Sequence, residues 1–300
     1  QHARVAVVGI NDRTLSAYKT RIPIDRGLLA KVVDAVDAAG AKAIGIDILF
    51  LRPAPGDHEQ TLIDSLRRAR ATVVLGAGDE RVGLGPQEVG FQKSFLAQAG
   101  RPAGYVNLAT ERDWVVRFKA LPAEGSAFSK SFAQSLVESA GYSPARTHQR
   151  IAWLRTPRDG SDTFQTVTAD TLLAGSDDPI ARAARADLKD KIVIIGGLFP
   201  DLDQHLTPLT SQDNERMAGA VIHAHIAAEL VDGRSIAQLE ADSLVLRLEL
   251  ALLAALGFLV GWRYRLRRQG ILLGSIATAV IIAVDTLVFW QFRIILPIVL

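Results

Sequence analysis

The chain has 300 residues and a formal net charge of +2, a balance that leaves no electrostatic footprint for nucleic acid. It contains no cysteine, which excludes disulfides, thiolate metal sites and thiol catalysis. An apolar fraction of 49% is that of a globular domain with a membrane portion attached.

Val5 to Ile10 is an unbroken apolar run that ends in Asn11 and Asp12, the pattern of a strand buried on both faces of a parallel sheet. Leu28, Leu29, Val32, Val33 and Val36 recur at helical spacing, with Gly40 placed to end the helix in a left-handed conformation. Ala43 to Phe50 supplies the next strand, so the chain opens on a strand-helix-strand unit with a right-handed crossover. Leu62, Ile63, Leu66 and Ala69 mark a second amphipathic helix and Thr72 to Leu75 a third strand, which extends the alternation into an open α/β sheet. From Gly76 to Gly104 the pattern weakens, with one short helix around Phe91 to Gln98. Gly104 to Leu108 and Val115 to Phe118 are predicted as an antiparallel pair, and Phe128, Phe132, Leu136 and Val137 as a helix ended by Gly141. Ile151 to Leu154 and Phe164 to Val167 flank the turn-rich stretch Pro157 to Gly160 and predict a hairpin. A short helix at Thr168 to Leu173, a doubly buried strand at Lys191 to Gly197 and a last helix from Val221 to Val231, ended by Gly233, follow. The predicted fold class is α/β, an open mixed, mostly parallel sheet with helices on both faces over residues 1–240, followed by C-terminal transmembrane helices in residues 241–300.

Leu244 to Trp262 and Ile271 to Trp290 are each about long enough to cross a bilayer as a helix. The basic hairpin between them, with Arg263, Arg265, Arg267 and Arg268, is expected on the cytoplasmic side. Residues 1–240 are then extracytoplasmic, periplasmic in a bacterium, and the protein spans the inner membrane more than once, with the lipid bilayer as a partner. That topology requires an export signal or span before Gln1, and Ile294 is read as the start of a third span that continues beyond Leu300. Asp285 lies inside the second span, where an ionisable group either finds a partner in another span or protomer or reaches the outer interface. Arg247 and Glu249 sit in the first turns of the first span and are expected at the interface.

Asp12 and Asp47 fall at or near the carboxyl ends of predicted parallel strands, the edge where open α/β sheets bind ligands. A carboxylate within an apolar strand is costly unless it is paired, hydrogen-bonded or ligated. One expectation is that Asp47 pairs with an arginine such as Arg26 while Asp12 caps the following turn or helix. The other is that Asp12, Asp47 and Asp203 form a three-carboxylate pocket for a cation or an amine, with oxygen ligands favouring Mg²⁺ or Ca²⁺. His223 and His225 cannot share a metal if their segment is helical, since residues two apart point in nearly opposite directions. One of them is expected to face the core, leaving the other for a site with Asp203 or His205. Gly196 and Gly197 lack the Lys-Ser/Thr of a phosphate loop and are read as a backbone turn. No Ser-His-Asp order or nucleophile elbow is visible. The candidate ligand-binding residues are therefore Asp12, Asp47, Asp203, Arg26 and His205; no catalytic residue, metal ligand or cofactor is assigned.

Several segments occur together in one order: Val7 to Asp12, Arg26 to Phe50, Lys191 to Gly197, Asp203 with Thr207 to Leu209, and Gly219 to Ala224. As a set they resemble the CHASE2 extracellular sensory domain of bacterial receptors, over essentially the whole chain. Two stretches depart from that family: Arg21 to Arg26 replaces a Trp-Pro-Trp-Pro-Arg-like stretch, and Glu111 to Arg117 lacks the glycine of a carboxylate-rich turn. The resemblance implies an unidentified extracytoplasmic ligand or partner protein, spans directly after the sensor, and a cytoplasmic output module. That module is expected to be a class III adenylate cyclase making cAMP, with a histidine or serine/threonine kinase or a diguanylate cyclase as alternatives. A class III cyclase pairs its catalytic halves, so a homodimer is expected. From a different class, the three carboxylates allow an extracytoplasmic cation-dependent hydrolase.

Overall fold

Residues that are apolar on both faces of a strand can be satisfied only by two packed layers, and the computed structural model provides them. It describes residues 1–238 apart from 19, 20, 55, 57, 145, 146, 176 and 211–214. Beyond 238 it describes 255, 257–259, 261, 275, 276, 279, 280, 282, 283, 286, 287, 290, 291, 294 and 295. Contacts divide the chain into Gln1–Arg234 and Ser235–Leu300.

The first unit begins with β1 (Val5–Ile10), the one-turn α1 (Asp12–Leu15), α2 (Arg26–Ala38) and β2 (Ala43–Asp47). It continues through α3 (Glu59–Arg68), β3 (Thr72–Ala77), α4 (Pro86–Ala99) and β4 (Ala103–Tyr105). Two short strands, β5 (Leu108–Thr110) and β6 (Val116–Lys119), precede α5 (Phe132–Ser139), β7 (Gln165–Thr168), α6 (Ala169–Leu173) and α7 (Pro179–Ala186). It ends with β8 (Ile192–Gly197), β9 (Gln204–His205), β10 (Met217–Ala218) and α8 (Gly219–Asp232). The main sheet has the order β4-β3-β2-β8-β1-β7, with every neighbouring pair parallel. Antiparallel pairing is confined to two ribbons outside it, β5 with β6 and β9 with β10.

Alternation along the strands feeds two cores. Ala6, Val8, Ile44, Ile46, Val193 and Ile195 pack with α2, α3, α4, α6 and α7, while Val5, Val7, Val74, Ile192 and Ile194 pack with α5 and α8. The chain therefore leaves β2 for one face of the sheet and leaves its neighbour β8 for the other. Such a parting of ways opens a crevice outside the carboxyl ends of the strands. Gly196 makes the second departure possible: a Cβ there would lie 2.5 Å from that of Ala220, so only glycine admits α8 so close to β8.

Several predicted elements take a different course. Gly104 to Leu108 is not one strand, because Gly104 is pressed against the start of α5, where a Cβ would come within 2.7 Å of the Ser131 and Phe132 backbone. Ala103–Tyr105 instead extends the sheet beside β3, and Leu108 begins the ribbon with β6. Ile151 to Leu154 and Phe164 to Val167 form no hairpin: the Ile151 N–H donates to the Arg117 carbonyl, and β7 joins the sheet edge parallel to β1. The strand predicted to Phe50 stops at Asp47. Helix α4 starts earlier than predicted, at Pro86 after Gly85, and α7, with Pro179 in its first turn and Asp178 as its cap, was not predicted. Proline is preorganised for a first turn, and the buried face of this eight-residue helix is made of the small residues Ala181 and Ala184, without the large apolar side chains that mark the other helices.

In the second unit, β11 (Ala237–Gln238) pairs in parallel with β12 (Ile294–Ile295). Two β-branched isoleucines thus form a strand where a third helical span was expected to begin. The described residues from 255 to 291 are helical, and Phe258, Leu259, Ile276, Leu287 and Trp290 among them are exposed. Among the described residues no helix is long and apolar enough to cross a membrane. Arg263, Arg265, Arg267, Arg268, Asp285, Arg247 and Glu249 lie outside the described residues.

Candidate functional site

The crevice between β2 and β8 is a cavity of about 600 Å³, within the size range of small-molecule sites, about 300–1,000 Å³. Its walls are largely apolar, with Ile24, Ile48, Leu49, Val106, Leu108 and Phe199 among them, and its polar groups include Asp47, Asp203, His205, His223, Arg26 and Asn107. Four of the five residues proposed from the sequence thus line one cavity. Asp12 is not among its lining residues.

Asp47 closes β2 opposite Gly196 of β8. Its side chain is only 8% exposed, and its ion-pair contact is His223 Nε2 at 3.8 Å from Oδ1, not Arg26. Burial pushes the Asp47 carboxyl well above the usual carboxylate range, and the Asp203 charge pushes it further. His223, in the second turn of α8, is buried in an edge-to-face contact with the Phe132 ring. Burial lowers its pKa to about 4. The Val106 backbone interacts with this imidazole, yet Nδ1 makes no hydrogen bond. Near neutral pH the imidazole is therefore uncharged.

Asp203 stands in the left-handed region, at φ +53°, which Asp tolerates better than most residues. Its carbonyl accepts from the Gly219 N–H at 3.1 Å, and its carboxylate meets His205 Nε2 at 2.9 Å. That carboxylate occupies the space over Gly219, where a Cβ would fall 2.3 Å from Oδ2. Glycine at the first position of α8 is thus what lets Asp203 sit at the cavity.

Arg26, buried in the first turn of α2, turns to other partners: Glu59 at 3.4 Å and the carbonyls of Ile24 and Arg52 at 3.4 and 3.0 Å. Its guanidinium lies over the Phe50 ring at 4.6 Å. The expected Asp47–Arg26 pair is absent because Arg26 is held on the α2–α3 side of the sheet edge. Asp12 pairs with Arg21 at 3.1 Å, and the cap of α1 is Asn11, whose carbonyl oxygen accepts from the Thr14 N–H at 2.9 Å. The three-carboxylate pocket is not assembled, and among the described residues no group of three or more His, Cys, Asp or Glu could hold a metal ion. Both neighbouring histidines of α8 are buried, in separate places: His225 packs between Trp153 and Phe164.

Sequence reasoning left either His223 or His225 for a site with Asp203 or His205, and the structure brings His223 to the cavity with both. It missed Asn107, which lay in a segment read as strand; only the approach of β4 to β3 brings it there.

An open parallel sheet with a ligand-sized, partly acidic cavity where its connections part places that cavity at the edge where open α/β sheets characteristically carry their sites. The chain belongs to the CHASE2 domain family, whose profile matches residues 1–263. It therefore has an extracellular sensory role in a signalling receptor. Comparison with curated proteins and with solved structures found no match.

Proposed function

We propose that this chain is the sensing and membrane-anchoring part of a bacterial receptor in which occupation of the β2–β8 cavity regulates a cytoplasmic class III adenylate cyclase acting as a homodimer. The observation that carries this reading is the cavity itself, bounded by both the end of β2 and the first turn of α8. A ligand there bears on the last helix before the apolar segments, and a shift of that helix needs few joints to reach them. Helix α8 ends at Gly233 in a left-handed cap, and the first apolar segment begins at Leu244.

Supporting the membrane topology, β11, before the first apolar segment, pairs with β12, after the second, and two crossings return the chain to the side it left. The hydrolase reading has no comparable support, since Asp12 is engaged by Arg21 away from the other two carboxylates' shared cavity.

The test is the full-length receptor expressed in a cyclase-deficient bacterium, with cAMP measured for the native protein and for Leu202→Trp, which fills the cavity from its partly exposed rim. The expected result is cAMP synthesis that changes when the cavity is filled. Unchanged output in that variant overturns the regulatory role, and protein phosphorylation or cyclic diguanylate in place of cAMP identifies a kinase or diguanylate cyclase output instead.

A further inference from the structure

We propose that the cavity binds a small organic cation, an ammonium group on an apolar carbon body, with the nitrogen held between Asp47 and Asp203. This rests on the cavity being the sensory site and adds the chemical class of what is sensed.

Asp203 already meets His205 at the cavity rim, but three further acceptors there have no hydrogen-bond donor. Among the described residues the Asp47 carboxylate receives no hydrogen bond, and its one ion-pair contact is the long approach to His223. Asn107 Oδ1 and His223 Nδ1 are likewise buried without hydrogen-bond partners. Buried acceptors of this kind cost stability until a donor reaches them. A primary ammonium carries three donors and no acceptor.

The charges point the same way. Asp47 on β2 and Asp203 before β9 line the same cavity, the Asp203 charge raises the Asp47 carboxyl further, and the charged or titratable groups facing them are His205 of β9, which pairs with Asp203, His223 of α8, and Arg26 and Arg52. Burial keeps His223 uncharged near neutral pH. Arg26 is spent on Glu59 and two carbonyls, and Arg52 is exposed. A cation between the two carboxylates removes their repulsion. A bare metal ion suits the site poorly, since no cluster of three ligands exists among the described residues and the remaining wall is apolar. An amine with a hydrocarbon body matches both halves.

The experiment is a titration of the purified full chain in detergent at pH 7 with three probes of one shape, 2-phenylethylamine, 2-phenylethanol and 3-phenylpropionate, followed by thermal melting and calorimetry. The expected result is a saturable rise in melting temperature with the amine alone. Asp47→Asn and Asp203→Asn, either of which suffices should the other misfold, weaken that binding about tenfold or more, while Asp12→Asn leaves it unchanged. Equal binding of the alcohol or the acid, full amine binding by both Asp variants, or no shift by the amine overturns the proposal. If the acid binds and Leu202→Trp abolishes its binding, the ligand class is wrong and the sensory cavity stands. If cAMP output ignores Leu202→Trp, the sensory reading falls whatever the amine does.

Discussion

At His225 the consequences of burial can be read as a pH dependence. The ring is 1% exposed, stands between Trp153 and Phe164, and its Nδ1 accepts from the Leu154 N–H at 3.3 Å, so the neutral form is the one the fold accommodates. Burial lowers its pKa to about 3, and the nearby Arg234 and His2 charges act in the same direction. His223 is lowered to about 4 for the same first reason. A depressed folded-state pKa contributes stability that is present above the ordinary histidine value and is lost as pH falls toward the folded value, at about 1.4 kcal/mol per pH unit for each imidazole. Asp47 works in the opposite sense: its raised pKa contributes stability that is complete below the ordinary carboxylate value and is lost as pH rises through the folded one. Melting temperatures are therefore expected to fall between pH 6.5 and 4 in the native protein. His225→Gln, which keeps an acceptor for Leu154, is expected to flatten that fall, and Asp47→Asn to steepen it while raising stability at neutral pH. A His225→Gln profile parallel to that of the native chain would show that burial does not depress the proton affinity of this imidazole.

Between elements, one buried tie outside the sheet is ionic. Glu229, fully buried on α8, accepts from Lys119 Nζ of β6 at 2.5 Å and from the Ala152 N–H at 2.9 Å. One side chain thus holds the β5–β6 ribbon and the 151–154 segment on the helix that also borders the cavity. Removing one member of such a pair leaves an unpaired buried charge, at about 3–5 kcal/mol. Glu229→Ala is expected to lose that much in urea unfolding, and Glu229→Ala combined with Lys119→Met to lose less than the sum of the two single changes; additive losses would mean the pair is not coupled in the fold. This tie also explains what could be read in advance. Strands β1, β2, β3 and β8 and helices α2, α3 and α8 are long or buried on both faces, so their apolar pattern names them without knowledge of their neighbours. The segments Gly104 to Leu108 and Ile151 to Leu154 are placed by partners remote in sequence, Ser131 and Phe132 for the first and Arg117 and Glu229 for the second, and their own residues carry no sign of it. At the cavity, Asp47 was legible because a carboxylate interrupts an apolar strand, and Asp203 because it follows β8. Arg26 was legible as a site residue but not in its pairing, which depends on where α3 puts Glu59.

For the molecule as a whole, the arrangement of sheet and membrane segments can be tested without any ligand. If the segments from Leu244 to Trp262 and from Ile271 to Trp290 cross the bilayer in opposite directions, the chain returns after Trp290 to the side it left at Gln238. The register Ala237 to Ile294 in β11 and β12 has that property, since neighbouring strands lie about 4.7–4.9 Å apart, within the Cα separations a disulfide spans. The chain contains no cysteine, so a double substitution Ala237→Cys and Ile294→Cys reports on that pairing against an empty background, and Arg265→Cys reports on the basic hairpin. In intact cells oxidation is expected to close the 237–294 disulfide at the outer surface, while Arg265→Cys reacts with a maleimide that cannot cross the membrane only after the cells are opened. Labelling of Arg265→Cys from outside would invert the orientation, place the β2–β8 cavity on the cytoplasmic side and remove the physical basis for an extracytoplasmic signal.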